Sequence, residues 1–371
     1  DRGLILSPPH LQAALRAARE AIVLLKNEGG LLPLSRDLKR VAVIGPLADD
    51  RDAPLGSWAC RGRPKDVISV LEGLREKLPE VTILHAAGCG VEDADTSGFA
   101  EAVRKSRQAD VAILVVGETR RMSGEGGSRA YLGLPGVQCQ LVKRVVSTGT
   151  PTVVVLMSGR PLAIPWSAEH AQAVVESWQL GIQHGRAVAD VLFGDVNPSG
   201  KLPVTFPRTV GQVPIFYNHM NTGRPPNPKV RTTSRYVDAP SSPQFPFGFG
   251  LSYTTFAYSG LKIEPGEIGP AGAVSVSVTV KNTGSRAGDE IVQLYIRDPV
   301  ASLTRPVREL KGFARVHLEP GQSRRVSFRL GPQELGLYNR HMEWVVEPGR
   351  FEVWVGPNSV EGLHGEFRVV R

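Results

Sequence analysis

The hydrophobic period of this chain changes once, near Asn221, and that change constrains the fold more than any single motif does. Upstream, the runs Val41-Ala42-Val43-Ile44-Gly45, Val111 to Val116 and Thr152 to Leu156 are apolar at consecutive positions. Such runs are buried on both faces, as strands of a parallel sheet covered by helices must be. Helical stretches lie between them at Val67–Leu78, Ser97–Arg107 and Val137–Ser147. Ser7 can cap an earlier helix whose first turn holds Pro8 and Pro9, both tolerated where the amide hydrogens have no helical partners. Leu11, Leu15, Ala18, Ile22 and Leu25 recur there at helical spacing, and Gly29-Gly30 stops the run. Strand and helix in alternation predict right-handed crossovers and an α/β layered sandwich, a mostly parallel sheet flanked by helices. In such a sheet, ligands meet the loops at the carboxyl ends of the strands.

Downstream, the period is two. Val274, Val276, Val278 and Val280 alternate with Ser275, Ser277, Thr279 and Lys281, and the pattern returns at Val326, Phe328 and Leu330 and at Phe351, Val353 and Val355. Turn residues bound each run, as at Asn282-Thr283-Gly284, Glu319-Pro320-Gly321 and Glu347-Pro348-Gly349. Half-buried strands joined by regular turns predict an all-β sandwich, whose core Trp344 and Trp354 are expected to join. The stretch from Asn221 to Pro246, rich in Pro, Asn, Ser and Thr, reads as a linker. The expected division is an α/β domain over 11–221, a linker over 222–251 and a sandwich over 252–371.

Composition narrows the function. The 371 residues exceed a typical single domain, and the longest apolar runs are too short to cross a bilayer, so no membrane partner is expected. The net charge of +8 comes from scattered Lys and Arg without interleaved aromatics, which predicts a basic surface rather than a nucleic-acid site. Cys60, Cys89 and Cys139 are too widely spaced for a zinc pattern and read as small buried hydrophobes. No metal or cofactor is implied. A phosphate-cradling Gly-x-Gly-x-x-Gly after the first strand, a Walker lysine and a Gly-x-Ser-x-Gly elbow are all missing, which argues against nucleotide, flavin and serine-hydrolase chemistry.

The segment that carries chemistry follows the strand Val111–Val116: Gly117-Glu118-Thr119-Arg120-Arg121-Met122-Ser123-Gly124-Glu125-Gly126-Gly127-Ser128-Arg129. A long glycine-containing loop at a strand's carboxyl end is where an α/β protein presents functional side chains. Glycines on both sides of Glu125 leave its carboxylate uncrowded. Glu118, nearer the strand, competes for a catalytic role; its plainer reading is an ion-pair partner for Arg120, Arg121 or Arg129.

Three long stretches resemble family 3 glycoside hydrolases, especially the bacterial β-glucosidase branch. They are Ala17 to Glu28 followed by Leu32-Pro33-Leu34, then Val191 to Pro203 with its Phe193-Gly194-Asp195 and Asn197-Pro198-Ser199-Gly200, and Phe245 to Phe256. The resemblance implies a (β/α)8 barrel before these residues, with residues 1–10 as the connection from it, and a fibronectin-III-like sandwich at the end. It also implies a nucleophilic Asp on that barrel and an acid/base Glu on the loop that Ser123-Gly124-Glu125-Gly126-Gly127-Ser128-Arg129 matches, hence Glu125. Many relatives have Asp where this chain has Ser128, which leaves that loop's hydrogen bonding open.

Trp58, in Gly56-Ser57-Trp58, Met122 and Arg129 are the expected substrate-binding residues. The plainer alternatives are a packing tryptophan for Trp58 and a structural ion pair for Arg129. A chain starting at Asp1, with no barrel pattern, is expected to be one part of a larger enzyme that docks with the missing barrel, from the same gene or a separate chain. The expected substrate is a β-glucoside or oligosaccharide. β-Xylosides and N-acetylglucosaminides stay open, as does homo-oligomerisation, and the resemblance favours a periplasmic or secreted location. The competing reading is a non-catalytic carbohydrate-binding or protein-interaction module of the same architecture.

Overall fold

The computed structural model describes residues 2–371 and divides into two compact units. The first runs through Lys201 and takes in Phe206–Val213 and Gly250–Tyr253; the second comprises Leu202–Thr205, Pro214–Phe249 and Thr254–Arg371.

The first unit is built on strands β1 (Val23–Asn27), β2 (Arg40–Ile44), β3 (Thr82–Ala86), β4 (Val111–Gly117), β5 (Thr152–Met157) and β6 (Ala173–Glu176). Its helices are α1 (Pro8–Ala21), α2 (Val70–Lys77), α3 (Phe99–Arg107), α4 (Gln138–Val146), α5 (Pro165–His170) and α6 (His184–Leu192). The sheet order is β1-β6-β5-β4-β2-β3, with β2 to β6 parallel. Every residue of β4 and β5 is buried, the two-sided burial that their consecutive apolar residues require. Alternate side chains such as Val41, Ile113 and Val155 pack with Leu71 and Leu74 of α2 and Val188 and Leu192 of α6. Each such buried side chain contributes about 1.5–3 kcal/mol.

Two boundaries differ from the sequence reading by three residues or more. The first helix stops at Ala21, and Val23–Asn27 forms an antiparallel edge strand on β6, with Val23 opposite Glu176 and Asn27 opposite Ala173. Ile22 and Leu25 fit the helical spacing, but Ile22-Val23-Leu24-Leu25 is apolar without interruption and every one of these residues is buried. A helix facing a core on one side leaves part of such a run in water, whereas pairing with β6 buries all of it. The second helix starts at Val70, not Val67, because Ser69 forms a capping box: its Oγ accepts from Glu72 N (3.1 Å) and its own N–H donates to Glu72 Oε2 (3.1 Å).

The second unit is a sandwich of β7 (Phe256–Glu264), β8 (Glu267–Ile268), β9 (Val274–Asn282), β10 (Gly288–Arg297), β11 (Glu309–Leu318), β12 (Ser323–Leu330), β15 (Gly349–Gly356) and β16 (Leu363–Val369). A small ribbon of β13 (Leu337–Tyr338) and β14 (Trp344–Val345) and a one-turn helix, α7 (Pro332–Leu335), complete it. The sheets have orders β11-β10-β15-β16-β8 and β12-β9-β7. Val274, Val276, Val278 and Val280 meet Val292, Leu294, Phe351 and Val353 in one core, as period two predicts. Neither tryptophan belongs to that core. Trp354 alternates with Val353 and Val355, so it faces away from the core and stacks on His364 (4.9 Å). Trp344 sits on the ribbon, 47% exposed, edge-on to Tyr338. The segment over 221–246 contains neither helix nor strand and lies within the compact sandwich unit. The cysteines are all free; Cys89 is buried as expected, but Cys60 is exposed and Cys139 half-buried.

Candidate active site

The chain leaves β2 for β3 on one side of the sheet and then places β4 on the other side of β2. The direction of strand addition therefore reverses between β2 and β4, and the loops following those two strands diverge at their carboxyl ends. That divergence opens a crevice where α/β sheets take ligands. One of these loops carries Ser57 and Trp58, and the other carries Glu118 to Arg129. The ends of β5 and β6 add Arg160 and Gln179.

Glu125 occupies the second position of a turn closed by Gly127 N–H donating to Gly124 O (3.0 Å). The third position, Gly126, has φ +73°, the left-handed conformation a type II turn needs there. Gly124 also has positive φ (+89°), and a Cβ on it would lie 2.5 Å from Ser57 Cβ. A side chain at position 124 is thus barred both by backbone conformation and by the neighbouring loop. The result is a Glu125 side chain that is exposed and has no hydrogen-bond or ion-pair partner among the described residues.

The two loops are tied together. Ser57 Oγ lies 2.8 Å from Arg120 O and also reaches Ser123 O, so its single proton is shared between two carbonyls of the Glu125 loop. Arg120 Nε pairs with Asp52 Oδ2 at 3.0 Å. Two cavities of about 370 and 410 Å³ open beside the loops. Glu125, Arg121 and Cys60 line the first, Trp58, Gly159 and Gln179 the second, and Ser57 and Ser123 both. Trp58 is 71% exposed, so it is not packed within this chain. The Gln179 amide nitrogen is buried without a hydrogen-bond partner among the described residues.

Beneath the tip lies a buried ionic cluster. Glu118 is fully buried; its Oε1 accepts from Arg129 (2.6 Å) and its Oε2 from Arg160 (3.1 Å). Arg129 also donates to Gly133 O (3.1 Å), and Arg160 to Gly127 O, so both arginines join the strand end to the backbone of the loop. Glu118 therefore takes the ion-pair role, with Arg129 rather than Arg120 or Arg121. Arg129 and Met122, at the end of a single 3-10 turn, line neither cavity. Ser128 is exposed, and the Glu118–Arg129 pair holds the loop base beside it. Nearby Glu176 is buried too. Burial pushes its carboxyl well above the usual carboxylate range, against the Trp178 N–H (2.8 Å) that Oε1 accepts and the Ser158 hydroxyl.

Sequence reasoning named Glu125, Glu118, Trp58 and Arg129 but missed Ser57 as a clamp, Arg160 and Gln179. Ser57 stood inside the quoted Gly-Ser-Trp, yet nothing local shows that its hydroxyl reaches a loop more than sixty residues on. Arg160 and Gln179 come from the next two strand ends, and only the sheet order brings them here.

Residues 22–253 match the C-terminal domain of glycosyl hydrolase family 3, and residues 290–359 match a fibronectin type III-like domain. The chain belongs to glycoside hydrolase family 3. Family membership accounts for the architecture: an α/β domain followed by a fibronectin-III-like sandwich. Over 97% of this chain, 40% of residues are identical to a periplasmic β-glucosidase of Salmonella typhimurium, and over 94%, 44% are identical to a β-xylosidase of Formosa agariphila. The crystal structure of a β-glucosidase from Listeria innocua in complex with glucose superposes with a TM-score of 0.93 at 39% identity, over 99% of this chain and 51% of that one. The matches span 50% and 48% of the two curated relatives, so the chain corresponds to about half of each, a C-terminal portion. None of the described residues forms a (β/α)8 barrel.

Proposed function

We propose that this chain supplies the acid/base half of a retaining β-glycosidase acting on terminal β-D-glucosyl residues, with Glu125 as the acid/base. One observation carries the proposal: among the described residues, Glu125 is the only carboxylate lining the two crevice cavities, and it stands unpaired at the tip of a turn. A retaining mechanism needs a proton donor and a nucleophilic carboxylate about 5–5.5 Å apart across the scissile bond. The donor protonates the leaving oxygen, then deprotonates the incoming water. With no second carboxylate among the described residues of the crevice, the nucleophile is assigned to a barrel outside this sequence. Closure of that barrel over Glu125 supplies the desolvation that keeps a donor protonated.

In this reading Trp58, exposed beside Glu125, stacks on a sugar beyond the cleavage point, and Met122 adds an apolar contact once the barrel is in place. Arg129 acts on substrate only through the loop base it fixes. Glucosides are the favoured substrates because most of the matched relatives are β-glucosidases; xylosides are the nearest alternative, given the Formosa β-xylosidase.

The test assays this chain on aryl β-glucoside and β-xyloside, alone and with the separately produced barrel of the same protein. Turnover only in the mixture is expected. In the reconstituted enzyme, Glu125→Ala should slow substrates with poor leaving groups by about 10²–10⁴-fold. Activated aryl glycosides should lose less in the glycosylation step, and azide should rescue the second step. Cellobiose hydrolysis by Glu125→Ala at the parent rate would refute the assignment, and docking without turnover would favour a non-catalytic binding module.

A further inference from the structure

The sandwich unit contains a cavity of about 420 Å³, larger than either crevice cavity and within the range of small-molecule sites. It lies on the face of the five-stranded sheet turned away from the core. There Trp354 of β15 and Arg297 at the end of β10 meet the segment that follows Pro214. That segment is held to the sheet by Tyr217, which stacks on Phe247 (4.3 Å), meets Tyr295 edge-on (5.7 Å) and accepts from Leu310 N (3.2 Å). The walls are apolar, chiefly Ile215, Phe216, Phe247 and Val360, and Phe216 and Val360 stand exposed.

Arg308 gives this apolar cavity its chemistry. Its guanidinium lies 4.2 Å from the Trp354 ring centre and donates to Ser359 O. Among the described residues no carboxylate pairs with it. The contrast with its neighbours is specific: Arg297 and Arg350 pair with Glu352 at 3.6 and 3.2 Å. A guanidinium carries five donors in a plane, and only one of Arg308's is used among the described residues. Burial pulls its pKa below the usual arginine value, against the opposing effects of Tyr295 and Glu352. Arginine does not give up its proton under ordinary conditions, so it remains a poorly solvated cation with a planar fork facing a cavity. Carboxylates match that fork better than neutral groups do.

We infer that this cavity binds a small carboxylate with a flat apolar body, the carboxylate on Arg308 and the body against Phe216 and Phe247. A neutral sugar could hydrogen-bond Thr205, His219 or Ser241 on the walls, but it brings no negative charge to the unpaired guanidinium, and the charge is what separates the two ligands. The inference is independent of the acid/base assignment, since it concerns the other unit.

The experiment titrates the full chain with trans-cinnamate and with cinnamamide, its neutral counterpart of the same shape, at pH 7 and low salt by calorimetry. Cinnamate is expected to bind about tenfold tighter or more, the gain from a charge-assisted hydrogen bond. Arg308→Gln should erase the preference. Because loss of Arg308 can disturb its neighbours, Val360→Glu supplies a second variant at an exposed position. It should weaken cinnamate, by repulsion, several-fold more than it weakens cinnamamide, which loses only the apolar wall contact. Equal affinity for acid and amide, no binding of either, or binding of cellobiose that displaces both would each overturn the site.

Discussion

The two units handle buried polarity in opposite ways. In the α/β unit the central strands are almost wholly apolar, and two of its buried acids stand at carboxyl ends, Glu118 after β4 and Glu176 at the end of β6, while the third, Asp190 of α6, pairs with Arg19 and Lys77. In the sandwich, polar and apolar residues alternate along the long strands, and a buried acid can sit inside a strand: Glu290 of β10 accepts the Tyr258 hydroxyl at 2.7 Å. Two-sided burial leaves a parallel strand no place for a polar residue except its ends, so polarity is concentrated where loops leave the sheet. Period two gives a sandwich strand a whole outer face for polar residues. The candidate active site follows from the first arrangement and the Arg308 cavity from the second.

The largest effect that would sharpen this comparison is expected at Glu118. Glu118→Ala leaves two largely buried arginines without their carboxylate and should destabilise the α/β unit by about 3–5 kcal/mol. Hydrogen exchange should rise in peptides of β4 and β5 and stay unchanged in β9 and β15. Glu125→Ala, at the exposed tip of the same loop, should alter exchange hardly at all. Similar effects from the two substitutions would mean that base and tip are not separate in function.

A similar loss tests the alternation in the sandwich. Phe351 is fully buried and stacks on Phe367 at 5.3 Å, so Phe351→Ala should cost about 3–5 kcal/mol. Trp344→Ala, on the ribbon, should cost less than about 1 kcal/mol despite removing a larger ring. Urea unfolding of the pair decides it; a reversed order would place the core on the wrong face.

A pH difference separates the units further. Burial raises the Glu176 carboxyl in the folded state, so its stabilising contribution is present below the unfolded glutamate value and is lost as pH rises through the folded one. Asp289 in the sandwich behaves oppositely. Burial raises its pKa, but hydrogen bonds from Arg315 and His317 outweigh it and lower the net value, so its contribution is lost as pH falls. Raising pH from about 4.5 toward neutral should therefore loosen β5–β6 peptides, and Glu176→Gln should abolish that trend. A trend that survives the substitution would assign it to another group. The smallest effect is expected from Ser57→Ala, about 0.5–1.5 kcal/mol, read as faster exchange at residues 120–124.

The strands β2, β4 and β5 were legible because nothing but two-sided burial suits their composition, and β9 and β15 because alternation has one reading. Strand β1 was not, since Leu15, Ala18, Ile22 and Leu25 fit a helix and only the open edge of β6 makes extension the better outcome. Trp354 could have been placed from its parity with Val353 and Val355; large aromatic character suggested a core instead. At the site, the position of Glu125 was legible because turn glycines act locally.

What the sequence determined by itself was therefore everything set within a few residues: the change of period, the two fold classes, the glycine turn that frees Glu125, and the motifs that mark family 3. Tertiary structure alone decided which distant side chains meet. The order β4-β2-β3 on one side and β5-β6 on the other delivers Ser57, Arg160 and Gln179 to one crevice. The reason is physical. Conformational preference and hydrophobic period are properties of neighbouring residues, whereas pairing of Glu118 with Arg160, or solitude of Arg308, depends on which strand ends the fold sets side by side.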